Sequence, residues 1–196
     1  MNVLVGVTGS IGALGIHMYL LRLMAQPGVV VRAVMTPAAA RFVRPETLGA
    51  VLHAPVPVGF WSGHGRWVSP PEIIEGVDLL LVAPASATTL AYCAHGNAAT
   101  IVSACYLCHA GPTIFAPSMS PGMLGHPAVV RNIRQLRNDG ALVLPSGRGV
   151  AVSSGAASDG ALCEFDEMWV RTRRFWEHWK RTHSGGRRSS ECRASA

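Results

Sequence analysis

The residues able to do chemistry in this chain lie in short segments of glycine, serine, threonine and methionine that follow apolar runs. Thr8-Gly9-Ser10-Ile11-Gly12 offers bare backbone, a hydroxyl and the free N–H groups of a helix start, a set suited to a phosphate. Its spacing is not GxGxxG, and any tight strand-to-helix turn favours the same residues, so both readings stand. Met35-Thr36-Pro37 and Pro84-Ala85-Ser86-Ala87-Thr88-Thr89 place small hydroxyl residues directly after buried runs. They would admit something flat, or they simply cap the next helix. Pro117-Ser118-Met119-Ser120-Pro121-Gly122-Met123-Leu124 sets two methionines in a loop, a soft apolar wall for a planar cofactor or a neighbouring subunit.

Three histidines are candidates for proton transfer. His64 sits between glycines in Trp61-Ser62-Gly63-His64-Gly65-Arg66-Trp67, free to reach a cleft, with Arg66 beside it to pair with a carboxylate. A solvent-exposed histidine in a loop is the alternative. His126 follows the Met119 segment, and His95 is expected to end a helix, where a donor meets free carbonyls. Cys105-Tyr106-Leu107-Cys108 has redox or half-zinc-site spacing but lacks a second pair, so it reads as core packing and no metal site is expected.

Strands crossed over by helices must position these segments. Apolar runs at Asn2 to Val7, Val29 to Met35, Asp78 to Ala83, Pro112 to Ala116 and Ala141 to Leu144 read as strands. Helical patterns fall between them: Ile11 to Met24 with an apolar stripe at Leu14, Met18, Leu21 and Met24, a helix opened by Thr36-Pro37, then Ala85 to Ala94, Ala98 to Cys108, Pro127 to Asn138 and Phe165 to Arg181. Ala54 to Pro71 reads as a long loop with room for one short strand. The alternation predicts an α/β fold, a Rossmann-like doubly wound parallel sheet flanked by helices, in one domain over residues 1–182 with a basic tail over 183–196. Ligands then gather beyond the carboxyl ends of the strands, where all four segments lie.

Composition narrows the class. The chain has 196 residues, 49% hydrophobic and 14% charged, enough for a full core and too apolar for a disordered chain. No apolar run reaches the ~18–20 residues of a membrane span. Met1 to Leu21 imitates a signal peptide, yet no basic residue precedes the apolar stretch and Gly9-Ser10 interrupts it, so the expected compartment is the cytoplasm. From Arg171 onward, eight Arg or Lys against two Glu carry the entire net charge of +6. The remainder is neutral, which argues against a nucleic-acid-binding face.

The ordered stretches VGVTGSIGA, VMTPAAARFV, VDLLLVAPASATTLAYCAHG, FAPSMSPGMLGHPAVVRNI and VAVSSG resemble the homo-oligomeric flavin-containing cysteine decarboxylases, from Met1 to about Trp176. Val152-Ser153-Ser154-Gly155, matching an Ile-Ser-Ser-Gly stretch, makes the likeness greatest to the lantibiotic-type peptidyl-cysteine decarboxylases. The resemblance implies trimer-based homo-oligomers with FMN, or FAD, at the boundary between subunits. It implies that Gly9, Ser10 and Ile11 hold the phosphate, with Ser103 approaching it. Thr36, Phe42, Ser86, Ala87 and Met119 would contact the flavin. Thr88, Ser120, Met123, Ser153, Ser154 and Gly155 would meet the substrate. The implied reaction is oxidative decarboxylation of the C-terminal cysteine of a ribosomal precursor peptide: the flavin takes a hydride equivalent, and the thioaldehyde loses carbon dioxide to give an enethiol for aminovinyl-cysteine formation.

Four positions depart from the family pattern. Thr88 replaces the asparagine of PASANT, and Ser120 and Leu124 replace the asparagine and tryptophan of PxMNxxMW. The family's catalytic histidine precedes the PASANT proline by fourteen residues, a count that lands on Pro70. Proline moves no proton. His64 is therefore the expected replacement base, with Thr88 and Ser120 as its companions at the reacting centre. Two alternatives remain: decarboxylation of a small cysteinyl amide such as phosphopantothenoylcysteine, and a flavin-binding partner subunit without chemistry of its own. The flavin prenyltransferases share the fold, but no residue pattern favours them.

Overall fold

A computed structural model describes residues 1–61, 65, 67–150 and 155–183. Five parallel strands form the central sheet: β1 (Asn2–Val7), β2 (Val30–Met35), β3 (Leu79–Ala85), β4 (Thr113–Pro117) and β5 (Leu142–Val143). Their order is β2-β1-β3-β4-β5, so the winding direction reverses between β1 and β3. Burial on both faces explains why the inner strand β3 is apolar throughout, whereas the edge strand β2 carries the exposed Arg32. Val3, Val5 and Val7 of β1 and Leu79, Leu81 and Ala83 of β3 pack on one face, whereas Leu4, Leu80 and Val82 pack on the other.

Helices cover both faces. The first face carries α1 (Ile16–Met24), α2 (Pro45–Leu52) and α8 (Phe165–His183) through Leu20, Leu23, Leu48 and Met168. The second carries α3 (Pro70–Ile74), α4 (Ala87–Ala94), α5 (Ile101–Cys108) and α7 (Pro127–Asn138) through Ile73, Leu90, Ile101 and Leu136. Three buried thiols, Cys93, Cys105 and Cys163, belong to these cores, and burial raises each to about 11 or 12.

Several expectations need correction. The stripe at Leu14, Met18 and Leu21 faces outward, each side chain about half exposed, and α1 instead buries Ile16, Leu20 and Leu23. Residues 11–15 form a 3-10 turn ahead of α1. Thr36-Pro37 opens only the short 3-10 turn Ala39–Arg41, because Arg44 is extended before Pro45, and α2 starts at that proline. Within the expected 54–71 loop, Val58 bridges alongside Met35 as an added edge to the sheet, and Pro70 begins α3. The Met119 segment contains a short helix, α6 (Pro121–Leu124). A two-stranded antiparallel hairpin, β6 (Gly147–Val150) with β7 (Ala157–Ala161), was not expected at all. His183 ends α8, and the rest of the expected tail lies outside the described residues. Among the described residues no helix is long and apolar enough to cross a membrane.

Candidate functional site

Three consecutive residues after β1 each fasten a different strand end. Thr8 Oγ1 donates to the Pro84 carbonyl at 2.6 Å and accepts from the Ser86 N–H at 2.9 Å, which ties β1 to β3 across the topological switch point. Gly9 lies so close to the turn after β2 that a Cβ on it would sit 2.5 Å from that of Ala38. Ser10 Oγ reaches the β4 end, within 2.7 Å of the Ser118 carbonyl, to which it donates, and 3.1 Å from Ser118 Oγ. The four segments singled out by composition therefore converge at one end of the sheet.

Beyond Ser10 lies a cavity of about 420 Å³. Ile11, Gly12 and Leu14 form one wall, Ser118 to Pro121 a second, and the β6–β7 hairpin a third. The hairpin is held there by Gly160, whose carbonyl accepts from the Met119 N–H at 2.9 Å. Val150 at the hairpin edge is 70% exposed, an apolar side chain left beside the cavity. Asp159 also lines it and pairs at 3.7 Å with Arg148, both being exposed.

Of the expected cofactor residues, Ile11 and Met119 line the cavity directly. Gly9 and Ser10 shape it from behind, and the Ser10 hydroxyl is occupied by Ser118. Thr36 is buried, its hydroxyl accepting from the Ala39 N–H at 3.2 Å, and Phe42 is partly exposed at the end of the following turn. Ser86 caps α4 by accepting from the Thr89 N–H, and Ala87, half-buried, begins that helix. Ser103 departs from expectation most: it is fully buried, locked with Thr100 in the capping box of α5, and is not among the residues lining this cavity.

Among the expected substrate residues, Ser120 lines the cavity and leaves its hydroxyl out of any helix cap. Thr88 is exposed and its hydroxyl makes no hydrogen bond among the described residues. Both follow the paired strand residues Ala85 and Pro117 by three positions. Met123 is half exposed on α6, and Gly155 is exposed with φ +67°. Ser153, Ser154, His64 and Arg66 lie outside the described residues. The other histidines have local duties: His126 Nδ1 accepts from the Ala128 N–H to cap α7, and His95 Nδ1 meets the Ala91 carbonyl at the end of α4. Pro70 is buried at the start of α3, so that position provides no base.

Thr8, Ser118 and Gly160 were not anticipated as site-builders. Ser118 was visible as a hydroxyl after a strand, and Thr8 as part of the first turn, but their partners lie 76 to 108 residues away in the chain.

An apolar wall with small residues beside a hydroxyl-lined turn suits a flat ring carrying a polar tail. The lining of Ile11, Leu14, Met119 and Val150 against Gly12 and Gly160 has that composition, so the residues present fit FMN.

The flavoprotein family model matches residues 1–169. The chain is 36% identical over 169 residues to the coenzyme A biosynthesis bifunctional protein CoaBC of Mycolicibacterium smegmatis, covering 85% of this chain and 40% of the relative. It thus spans about two fifths of that protein's length. It is 34% identical over 146 residues to mersacidin decarboxylase from a Bacillus species, covering 73% of this chain and 72% of the relative. Among solved structures, the FMN-dependent cysteine decarboxylase SpaF superposes with a TM-score of 0.75 at 30% identity, covering 90% of this chain and 97% of that one.

Proposed function

The chain belongs to the flavoprotein family, and from that premise we propose that it is an FMN-dependent decarboxylase acting on the C-terminal cysteine of a ribosomal precursor peptide. The observation that carries this reading is the cavity itself. It opens between the turns that follow β1 and β4, beside the point where the strand order reverses, its lining is largely apolar, and its hairpin wall leaves Val150 exposed to an incoming chain.

In this reading Gly9, Ser10 and Ile11 shape the phosphate turn, and Met119 and Ile11 flank the ring. Bound FMN supplies the two-electron oxidation of the substrate. The free hydroxyls of Thr88 and Ser120 donate to the substrate carboxylate and orient it. Each offers one donor where an asparagine would offer paired amide groups, so the carboxylate is held less firmly. His64 is assigned the proton transfer at the substrate thiol. Ser153, Ser154 and Gly155 are assigned to recognition of the peptide.

A trimer-based homo-oligomer belongs to the same reading. Ile11, Leu14, Met18 and Leu21 form an exposed apolar stripe, and the first two also line the cavity, so a second copy on that stripe would complete its wall.

The test is incubation of the FMN-loaded protein with a synthetic peptide ending in cysteine and, separately, with phosphopantothenoylcysteine. Mass spectrometry should show the peptide losing two hydrogens and carbon dioxide. Turnover of the small amide alone would favour the coenzyme A reading suggested by the CoaBC likeness. The absence of a base at Pro70 favours a second possibility, a partner subunit that binds flavin without turnover; activity of the protein by itself would exclude it.

A further inference from the structure

Residues 117–124 have a second face. A groove of about 410 Å³ runs between α6, α7 and the C-terminal edge of β4 and β5. Leu124, Val130, Ile133 and Leu144 line it together with Arg134 and Arg137, and no carboxylate does. Arg137 is fixed to the wall by donating to the Val143 carbonyl at 3.2 Å. Arg134 is exposed and makes no ion pair or hydrogen bond among the described residues. Favourable interaction with the helix dipole accounts for Arg137 in the last turn of α7. It does not account for Arg131 and Arg134 further back, in a helix with no acidic residue from Pro127 to Asn138. The excess is local, since outside the last 26 residues the chain carries nine basic and nine acidic side chains.

We propose that this groove receives the stretch of substrate peptide upstream of the terminal cysteine and selects an acidic side chain there, next to an apolar one. The inference rests on the peptide-cysteine reading. Ser118 to Pro121 wall the cavity while Pro117 and Leu124 line the groove, so a chain leaving the cavity crosses α6 to enter it. A helix with its side chains is ~10–12 Å across, and an extended chain advances ~3.3–3.6 Å per residue, so the crossing takes about three or four residues. The acidic residue therefore lies about three to five positions before the cysteine.

The probe is a fluorescein-labelled peptide ending in serine instead of cysteine, which cannot turn over, with two glutamates and a leucine in that window. Its counterpart carries glutamines. Binding to the full-length FMN-loaded protein, followed by anisotropy, should favour the glutamate peptide by about tenfold or more at low salt. Arg134→Glu should abolish the preference, Arg134→Lys should retain most of it, and a lysine-bearing peptide should bind Arg134→Glu better than wild type. Equal affinity for both peptides, or a preference that survives Arg134→Glu, overturns the proposal. So does a changed sedimentation coefficient of Arg134→Glu with unchanged peptide binding, which would make the groove a contact between copies. Turnover of a tripeptide ending in cysteine, too short to reach the groove, tests the underlying reading separately. Tripeptide turnover without charge selection removes only the groove, and charge selection without turnover removes only the reaction.

Discussion

Gly160 and Met119 form a single clamp: the Met119 N–H donates to the Gly160 carbonyl at 2.9 Å, and a Cβ on Gly160 would lie 2.0 Å from the Met119 carbonyl oxygen. Gly160 also has φ +100°, which an L side chain rarely adopts. The hairpin thus reaches the cavity only because residue 160 has no side chain. Gly160→Ala should cost about 1–3 kcal/mol, lowering Tm by about 2–4 °C per kcal/mol for a chain of this size. It should also release flavin on gel filtration. A variant with wild-type Tm and flavin content would show that the clamp is dispensable.

Thr8 is the corresponding tie at the sheet itself. Thr8→Val preserves shape but strips the Pro84 carbonyl and the Ser86 N–H of their partner. Leaving those groups unpaired in a buried site should cost about 1–3 kcal/mol in urea unfolding. Ser86→Ala, which removes the half-buried α4 cap and the 3.1 Å hydrogen bond to the Thr89 hydroxyl, should cost about 1 kcal/mol. Equal losses in the two variants would contradict the ranking.

His64 carries the proton-transfer assignment. His64→Ala should slow peptide turnover by roughly 10² to 10⁴ with flavin content unchanged. It should also remove the histidine limb of the pH–rate profile. Turnover at the wild-type rate would take His64 out of the mechanism.

His109 makes stability depend on pH. Burial lowers its pKa below the ordinary 6.5, only partly offset by a hydrogen bond to the Pro112 carbonyl and by Asp78. The unfolded chain then binds the proton more readily than the folded one. Its neutral-form stability is fully present above pH 6.5 and falls as the pH drops from there toward the lowered folded value. His109→Gln should flatten that part of the urea-midpoint profile between pH 5 and 7; an unchanged slope would assign it to other groups.

Most of the sheet could be read from the chain because parallel strands buried on both faces must be apolar throughout, as in Asp78 to Ala83. The face of α1 could not, because Leu14, Met18 and Leu21 are as apolar as Ile16, Leu20 and Leu23, so periodicity fits either stripe. The hairpin was hidden for a different reason. Gly147-Arg148-Gly149-Val150 and Ala157-Ser158-Asp159-Gly160-Ala161 have little β propensity, and their position depends on the tertiary contact with Met119. At the site, hydroxyl-rich segments after strands pointed to the right end of the fold. Which hydroxyls are free, such as Thr88, and which are spent on the fold, such as Ser10 and Ser103, depends on partners distant in sequence or on local caps.

The most direct test of the flavin-site account is a visible absorption spectrum of the purified protein, with mass analysis of the released chromophore, alongside Gly9→Val. The wild type should be yellow and release FMN. Gly9→Val, which drives a side chain into Ala38 and displaces the turn that shapes the phosphate site, should be colourless. A wild-type protein that stays colourless after incubation with FMN, or a Gly9→Val protein as yellow as wild type, would contradict the account.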